Sequence, residues 1–301
     1  MVELSLLNER FGIRDQLTFS EGPGGLAVIE IANSLAVATV ALQGAHLLSW
    51  IPRGEQPVIW LSRDAGFEAG QSIRGGVPVC WPWFGAHATH PSYPAHGFVR
   101  TIPWQLSDTK TLDDGATFVA FRMIQTDATG VFWPHRSELE LAMKVGATLD
   151  LDLVTRNTGA EAITISDALH TYFAVSDIRH IAVEGLEGCR YIDKLDDDKR
   201  KQQSGPVMFN AETDRIYLDT AADCLINDPG LQRRIRIGKR GSRSTVVWNP
   251  WRVKAERMAD MGENGYLSMV CVESTNAADD VVTIAAGDEH HLRVSYQVEP
   301  L

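Results

Sequence analysis

Short runs of valine, isoleucine, leucine and phenylalanine, closed off every few residues by glycine, proline or asparagine, recur from one end of this chain to the other. Few stretches carry a helical period, so the pattern predicts an all-β fold. The runs fall at 26–32, 35–42, 46–51, 57–61, 116–125, 137–154, 162–175, 181–183, 234–237, 245–248 and 267–274, with two more flanking the Gly287-Asp288 turn. Alternation is cleanest in Leu139-Glu140-Leu141-Ala142-Met143-Lys144-Val145 and in Leu149-Asp150-Leu151-Asp152-Leu153, with a bend near Gly146. Each run buries one face and wets the other, which belongs to antiparallel sheets. One short helix is predicted over 255–261, after the Trp248-Asn249-Pro250-Trp251 turn, and Asp196-Asp197-Asp198-Lys199-Arg200-Lys201 reads as a solvated loop tip. No other stretch has linker composition and no repeat has a fixed period. The 301 residues therefore read as a single domain, 1–301, built as one large antiparallel β-sandwich whose rim loops or concave sheet face would carry a site.

Composition narrows the partners. A hydrophobic share of 44% and a charged share of 22% are those of a chain that buries a real core. The formal net charge of -11 opposes a phosphate backbone, which excludes nucleic acid. It also repels small anions, so a phosphorylated substrate would need a local arginine site. Cys80, Cys189, Cys224 and Cys271 show no metal-like spacing and read as buried free thiols. Residues 1–20 are interrupted by Glu3, Glu9, Arg10, Arg14 and Asp15 and lack a signal-peptide core, and no apolar run approaches the ~18 residues of a membrane span. A reducing cytoplasm and a monomer are expected.

The densest unusual segment runs Ile73-Arg74-Gly75-Gly76-Val77-Pro78-Val79-Cys80-Trp81-Pro82-Trp83-Phe84-Gly85 and on to Ala95-His96-Gly97-Phe98-Val99-Arg100. Paired glycines let backbone approach a ligand, and guanidinium forks match phosphate oxygens, so Arg74 and Arg100 are candidate anion ligands. The plainer alternative has the tryptophans plugging the sandwich and the arginines pairing with surface carboxylates. Of the nine histidines, His170 stands out in Asp167-Ala168-Leu169-His170-Thr171-Tyr172-Phe173, where a ring among apolar neighbours needs either a hydrogen-bond partner or a task. Glu273 ends the hydrophobic run Met269-Val270-Cys271-Val272, where partial burial would raise its pKa and make it a base; the alternative is a solvated strand end. His87, His90 and His96 form the rival set, three imidazoles for a metal, but they lack the i, i+4 spacing of a zinc helix. Phosphate-loop, nucleophile-elbow and dinucleotide fingerprints are absent.

Taken in order, the segments 73–78, Trp81-Pro82-Trp83-Phe84-Gly85, His96-Gly97-Phe98-Val99-Arg100 with Trp104, Leu169-His170-Thr171-Tyr172-Phe173, Glu212-Thr213-Asp214-Arg215, Val247-Trp248-Asn249-Pro250-Trp251 and Val272-Glu273-Ser274 with Asn276 resemble the hexose-6-phosphate mutarotases, or glucose-6-phosphate 1-epimerases, of the aldose 1-epimerase superfamily. The resemblance spans most of the chain. It implies a galactose-mutarotase-like super-sandwich and an isomerase without metal or other cofactor, acting on a small sugar phosphate. It implies that His170 and Glu273 are the catalytic acid and base, that Arg74 and Arg100 contact the anionic substrate, that Asp214 contacts sugar hydroxyls and that His96 lines the site. One departure is Ala95, where some relatives carry a polar substrate contact that a methyl group cannot supply. On this reading the imidazole and carboxylate face each other across a pyranose-sized hollow with guanidinium groups at its far end. Three rivals are an epimerase of unphosphorylated aldoses, a non-catalytic carbohydrate-binding or sensor protein, and a metal-dependent isomerase or oxygenase on the three loop histidines.

Overall fold

The alternation at 137–154 is realised as the strands Ser137–Val145 and Thr148–Asn157, joined where the Gly146 N–H donates to the Thr148 carbonyl (3.0 Å). Leu139, Leu141, Met143, Leu149, Leu151 and Leu153 are buried on one side. At about 1.5–3 kcal/mol for each aliphatic side chain removed from water, that face alone fixes which side of the hairpin turns inward. The computed structural model describes residues 3–301, so the first two positions of the expected unit lie outside the described residues.

Every strand ladder among the described residues is antiparallel. A nine-stranded sheet has this hairpin and Glu289–Pro300 near its middle. An eight-stranded sheet runs in the order Lys199–Gln202, Arg190–Asp193, Thr213–Tyr217, Ser244–Asn249, Met269–Thr275, Ala168–Leu169 and Val79–Cys80, with Tyr172–Ala174 also paired to Met269–Thr275. A four-stranded sheet, Leu17–Glu21 to His46–Pro52, completes the body. One apolar cluster joins all three, from Leu17 and Ile29 through Phe121 and Leu153 to Val272 and Tyr296. The result is the expected all-β antiparallel sandwich.

Trp81 and Trp83 belong to this core, as the plugging alternative has it, and the Trp81 indole N–H is satisfied by Thr155 Oγ1 (3.1 Å). Several details differ from the sequence reading. The short helix is Trp251–Ala255 rather than 255–261: the Asn249 side chain accepts from the Trp251 N–H (2.8 Å), which starts the helix early, and tight turns follow it. Run 162–175 is not one strand but three, because its pieces pair with different partners. Run 57–61 keeps only isolated bridges to Phe173 and Gly75. In the charged cluster, Asp196, Asp197 and Asp198 form the tip, whereas Lys199, Arg200 and Lys201 enter the strand Lys199–Gln202. A helix at Leu4–Phe11, not foreseen, lays Leu4, Leu7 and Phe11 on the core. No helix of the described residues is long and apolar enough to cross a membrane.

Candidate active site

The outer face of the eight-stranded sheet holds the site, and strand periodicity decides which residues reach it. In Met269–Thr275 all seven residues are buried, so the sheet is covered on both sides. Val270 and Val272 point into the inter-sheet core, while Met269 and Cys271 belong to a second apolar cluster on the outer face, which places Glu273 on that face too. Cross-strand register lines up two rows. Ile192, Ile216, Val246 and Glu273 form one; Asp214, Trp248, Cys271 and Tyr172 form the next.

His170 occupies a gap between two short strands. Counting forward from the Leu169–Ser274 pair and back from the Tyr172–Cys271 pair both put His170 opposite Glu273. The ladder opens there, and the His170 N–H donates instead to the Pro78 carbonyl (3.0 Å). Its Nε2 lies 3.3 Å from Glu273 Oε1, with the imidazole side chain 12% exposed and the carboxylate 1%. Tyr172 stacks on the imidazole (centroids 5.0 Å, 17°), and His96 meets it edge-on at 5.6 Å.

A cavity of about 710 Å³ opens above this floor, lined by Arg74, His96, Arg100, His170, Asp214 and Glu273, all six of the residues singled out from sequence. A second hollow, about 580 Å³ on the solvent face of the nine-stranded sheet beside Phe118, Lys144 and Arg293, contains none of them. The expected layout needs one correction. The imidazole and carboxylate are side by side as cross-strand neighbours instead of facing each other across the hollow, and Arg74 and Arg100 line the same cavity. Arg74 donates to the Tyr172 hydroxyl (2.9 Å) and to Asp260 (3.2 Å). Arg100 donates to the Ala95 carbonyl (3.0 Å), so the residue that lacks a polar side chain still anchors a cavity arginine through its backbone.

The fields are strong because the floor is buried. Burial, then Asp214, holds the Glu273 carboxyl well above the usual range, with Arg100 opposing. Burial, then His96, Arg100 and Arg74, holds His170 well below an ordinary imidazole. Burial and the two arginines push His96 down to about 3, and its Nδ1 accepts from the Gly85 N–H (3.3 Å), which leaves Nε2 as the protonated donor. Burial raises Asp214, against the pull of Lys254 (4.0 Å) and Lys194. Burial opposes the charge on Arg74, but Tyr172 and Asp260 more than offset it and leave the guanidinium raised. Both shifts favour the uncharged forms, a carboxylic acid beside a neutral imidazole.

Phe84, Tyr172, Lys194, Trp248 and Lys254 also line the cavity and were not singled out. Trp248 and Tyr172 sit two residues from other outward-facing positions, which period-two counting would have found once one position was known. Lys194 and Lys254 reach the site from a hairpin and a helix that only tertiary structure brings together. The three loop histidines do not gather as a set: His87 and His90 pack on each other (5.1 Å) and on Tyr93 (5.1 and 4.7 Å), whereas His96 turns to Phe84 and His170. Among the described residues, the group spaced to hold a metal is His170, Cys271 and Glu273, with ligand atoms within 4.8 Å of one another.

Residues 27–297 match the model of the aldose 1-epimerase family. The chain belongs to that family. An Escherichia coli (strain K12) protein provisionally named glucose-6-phosphate 1-epimerase is 42% identical over 84% of this chain and 84% of its own. A Cenchrus ciliaris protein of the same provisional name is 33% identical over 92% of this chain and 86% of its own. The crystal structure of a Salmonella typhimurium protein provisionally called a mutarotase superposes with a TM-score of 0.89 at 36% identity, covering 97% of this chain and 96% of that one. The aldose 1-epimerase fold is thus shared across nearly the full length, and the protein is an isomerase with a mutarotase-type sandwich.

Proposed function

We propose that the protein interconverts the α and β anomers of a hexose 6-phosphate, glucose 6-phosphate foremost, with His170 and Glu273 as its acid–base pair. The observation that carries the reading is the 3.3 Å contact between these two side chains on the floor of a cavity that two arginines also line. Ring opening of a hemiacetal takes one proton from O1 and gives one to O5, and both oxygens hang on the same carbon. Side-by-side groups therefore suit the reaction better than opposed ones. Glu273 as carboxylate accepts the O1 proton while His170 as imidazolium donates to O5; the C1–O5 bond breaks and C1=O1 forms. After rotation about C1–C2, closure on the other aldehyde face returns both protons.

The phosphate accounts for the arginines. C6 is attached next to the ring oxygen, so its phosphate arrives on the side of His170, where Arg74 and Arg100 stand. Neutralising those guanidinium charges removes part of what holds His170 below its ordinary pKa, and the carboxyl proton moves to the imidazole. The His96 Nε2–H would then steady the ring oxygen or an anion oxygen, and Asp214 a distal hydroxyl. The names of the relatives favour the phosphorylated sugar over a free aldose. The same reading sets the protein in the cytoplasm as a monomer, in keeping with its four free cysteines.

Saturation-transfer NMR on equilibrated glucose 6-phosphate tests the activity. Enzyme should accelerate α–β exchange well above buffer, and should do so less for glucose. Exchange no faster than buffer would end the proposal in favour of a binding or sensor role.

A further inference from the structure

Cys271 lies directly beneath the reactive pair and the mechanism gives it nothing to do. It is fully buried, two residues before Glu273 on the same strand and therefore on the same face, and it pairs across the sheet with Tyr172 and Trp248. Its sulfur, a His170 ring nitrogen and a Glu273 oxygen all lie within 4.8 Å of one another. Two ligand atoms on one tetrahedral zinc ion sit about 3.3–3.8 Å apart, given Zn–N, Zn–O and Zn–S bonds of about 2.0–2.3 Å. The His170–Glu273 contact, at 3.3 Å, already has that spacing. The sulfur needs to close by about 1 Å. A second observation points the same way: Glu273 Oε2 is buried without a hydrogen-bond partner, so the carboxyl has unused lone-pair capacity.

We propose that His170, Cys271 and Glu273 form an inhibitory site for a thiophilic divalent cation, with Zn2+ as the fitting ion. Sulfur, imidazole and carboxylate supply three ligands, and the fourth position opens into the cavity, where water would complete the tetrahedron. Charge balance favours occupancy. A thiolate and a carboxylate together carry the two negative charges that offset the ion's two positive ones, and their protons leave to solvent. The bound ion occupies the place of O1 and O5, and inhibition is competitive with the sugar. Mg2+ and Ca2+, which demand oxygen ligands, leave the enzyme untouched.

The inhibitory part rests on the proposed activity; metal binding does not, and the two are measured separately. Co2+ added to the full-length protein should give a thiolate-to-metal absorption band that persists in Cys189→Ser, whose thiol is the one not fully buried, and vanishes in Cys271→Ala and Cys271→Ser. Zn2+ should abolish the band by displacement and inhibit anomer exchange reversibly with a chelator. In Cys271→Ala, uninhibited exchange should stay within about threefold of wild type while the Zn2+ needed for inhibition rises at least roughly tenfold, the scale of a lost metal contact. Absence of the band in wild-type protein, or Zn2+ inhibition unchanged in Cys271→Ala, overturns the site. If no anomer exchange is found at all, the activity fails while the Co2+ band still decides the metal site.

Discussion

Burial first of all shifts His170 below and Glu273 above their ordinary ranges, so each favours its uncharged form, and on the proposed mechanism the two make up the proton relay. Removing either group takes away a proton relay and leaves the sugar's binding groups in place. His170→Asn and Glu273→Gln should each lower kcat by about 10²–10⁴-fold with KM little changed; measured exchange rates at saturating sugar phosphate check this. Arg100→Ala should instead raise KM for glucose 6-phosphate about 10- to 100-fold, the worth of a charge-assisted hydrogen bond, and leave KM for glucose nearly unmoved. Asp167 provides a pH test. It is fully buried, neither carboxylate oxygen has a partner, and burial, then Asp280, pushes it up to about 7. The unfolded chain gives up this proton near 3.9, so stability conferred by the protonated form is complete below that pH and is lost as pH rises toward about 7, by about 4 kcal/mol. In Asp167→Asn the fall in Tm between pH 5 and pH 8 should shrink. Local pattern drew attention to His170 and Glu273, because a polar group in an apolar run demands an explanation, but their roles came from the family resemblance alone. Cys271 gave no such signal, since a buried thiol is ordinary in a strand.

At the scale of elements, what sequence hid was register. Met269–Thr275 is covered on both faces, so its alternation of core-facing valines and cavity-facing polar groups is masked by a continuous apolar run. The three strands within 162–175 could not be separated either, because their boundaries are set by different partners far away in the chain. Hairpins that close locally, such as Ser137–Val145 with Thr148–Asn157, were plain. The glycine pair at 75–76, expected to let backbone approach a ligand, instead lets it pack closely on other parts of the protein. Gly76 has φ of 69°, and a Cβ there would sit 2.4 Å from the Leu47 carbonyl oxygen and 2.5 Å from the His46 ring. Gly54 has a similar φ of 84° with open space around it. Gly54→Ala should therefore cost only the left-handed backbone penalty, about 1–2 kcal/mol, and Gly76→Ala clearly more. Paired thermal melts decide whether the clash or the dihedral dominates.

For the whole molecule, period-two runs and scarce helical periodicity were enough to establish an antiparallel sandwich. They were not enough to say which sheet face would be roofed into a cavity, since that depends on loops packing over the outer side of the eight-stranded sheet. One apolar cluster reaches from Leu17 to Tyr296 across three sheets, and no sheet can leave without exposing the others. We therefore expect residues 1–301 to unfold as one unit. Urea transitions followed by tryptophan fluorescence and by far-UV circular dichroism should coincide, and two separated midpoints would divide the chain into independent domains.

On the proposed mechanism, pairing His170 with Glu273 through the sheet's own ladder means that the chemistry is inherited with the fold. A one-residue slip would turn the carboxylate inward and present Val272 to the sugar, so the core's packing guards the proton relay. Arg74, Arg100 and Lys194 sit outside that ladder, on connecting segments and a hairpin tip. Sugar preference can thus drift among descendants of this chain by changes at the rim, while the bond-breaking centre stays as it is.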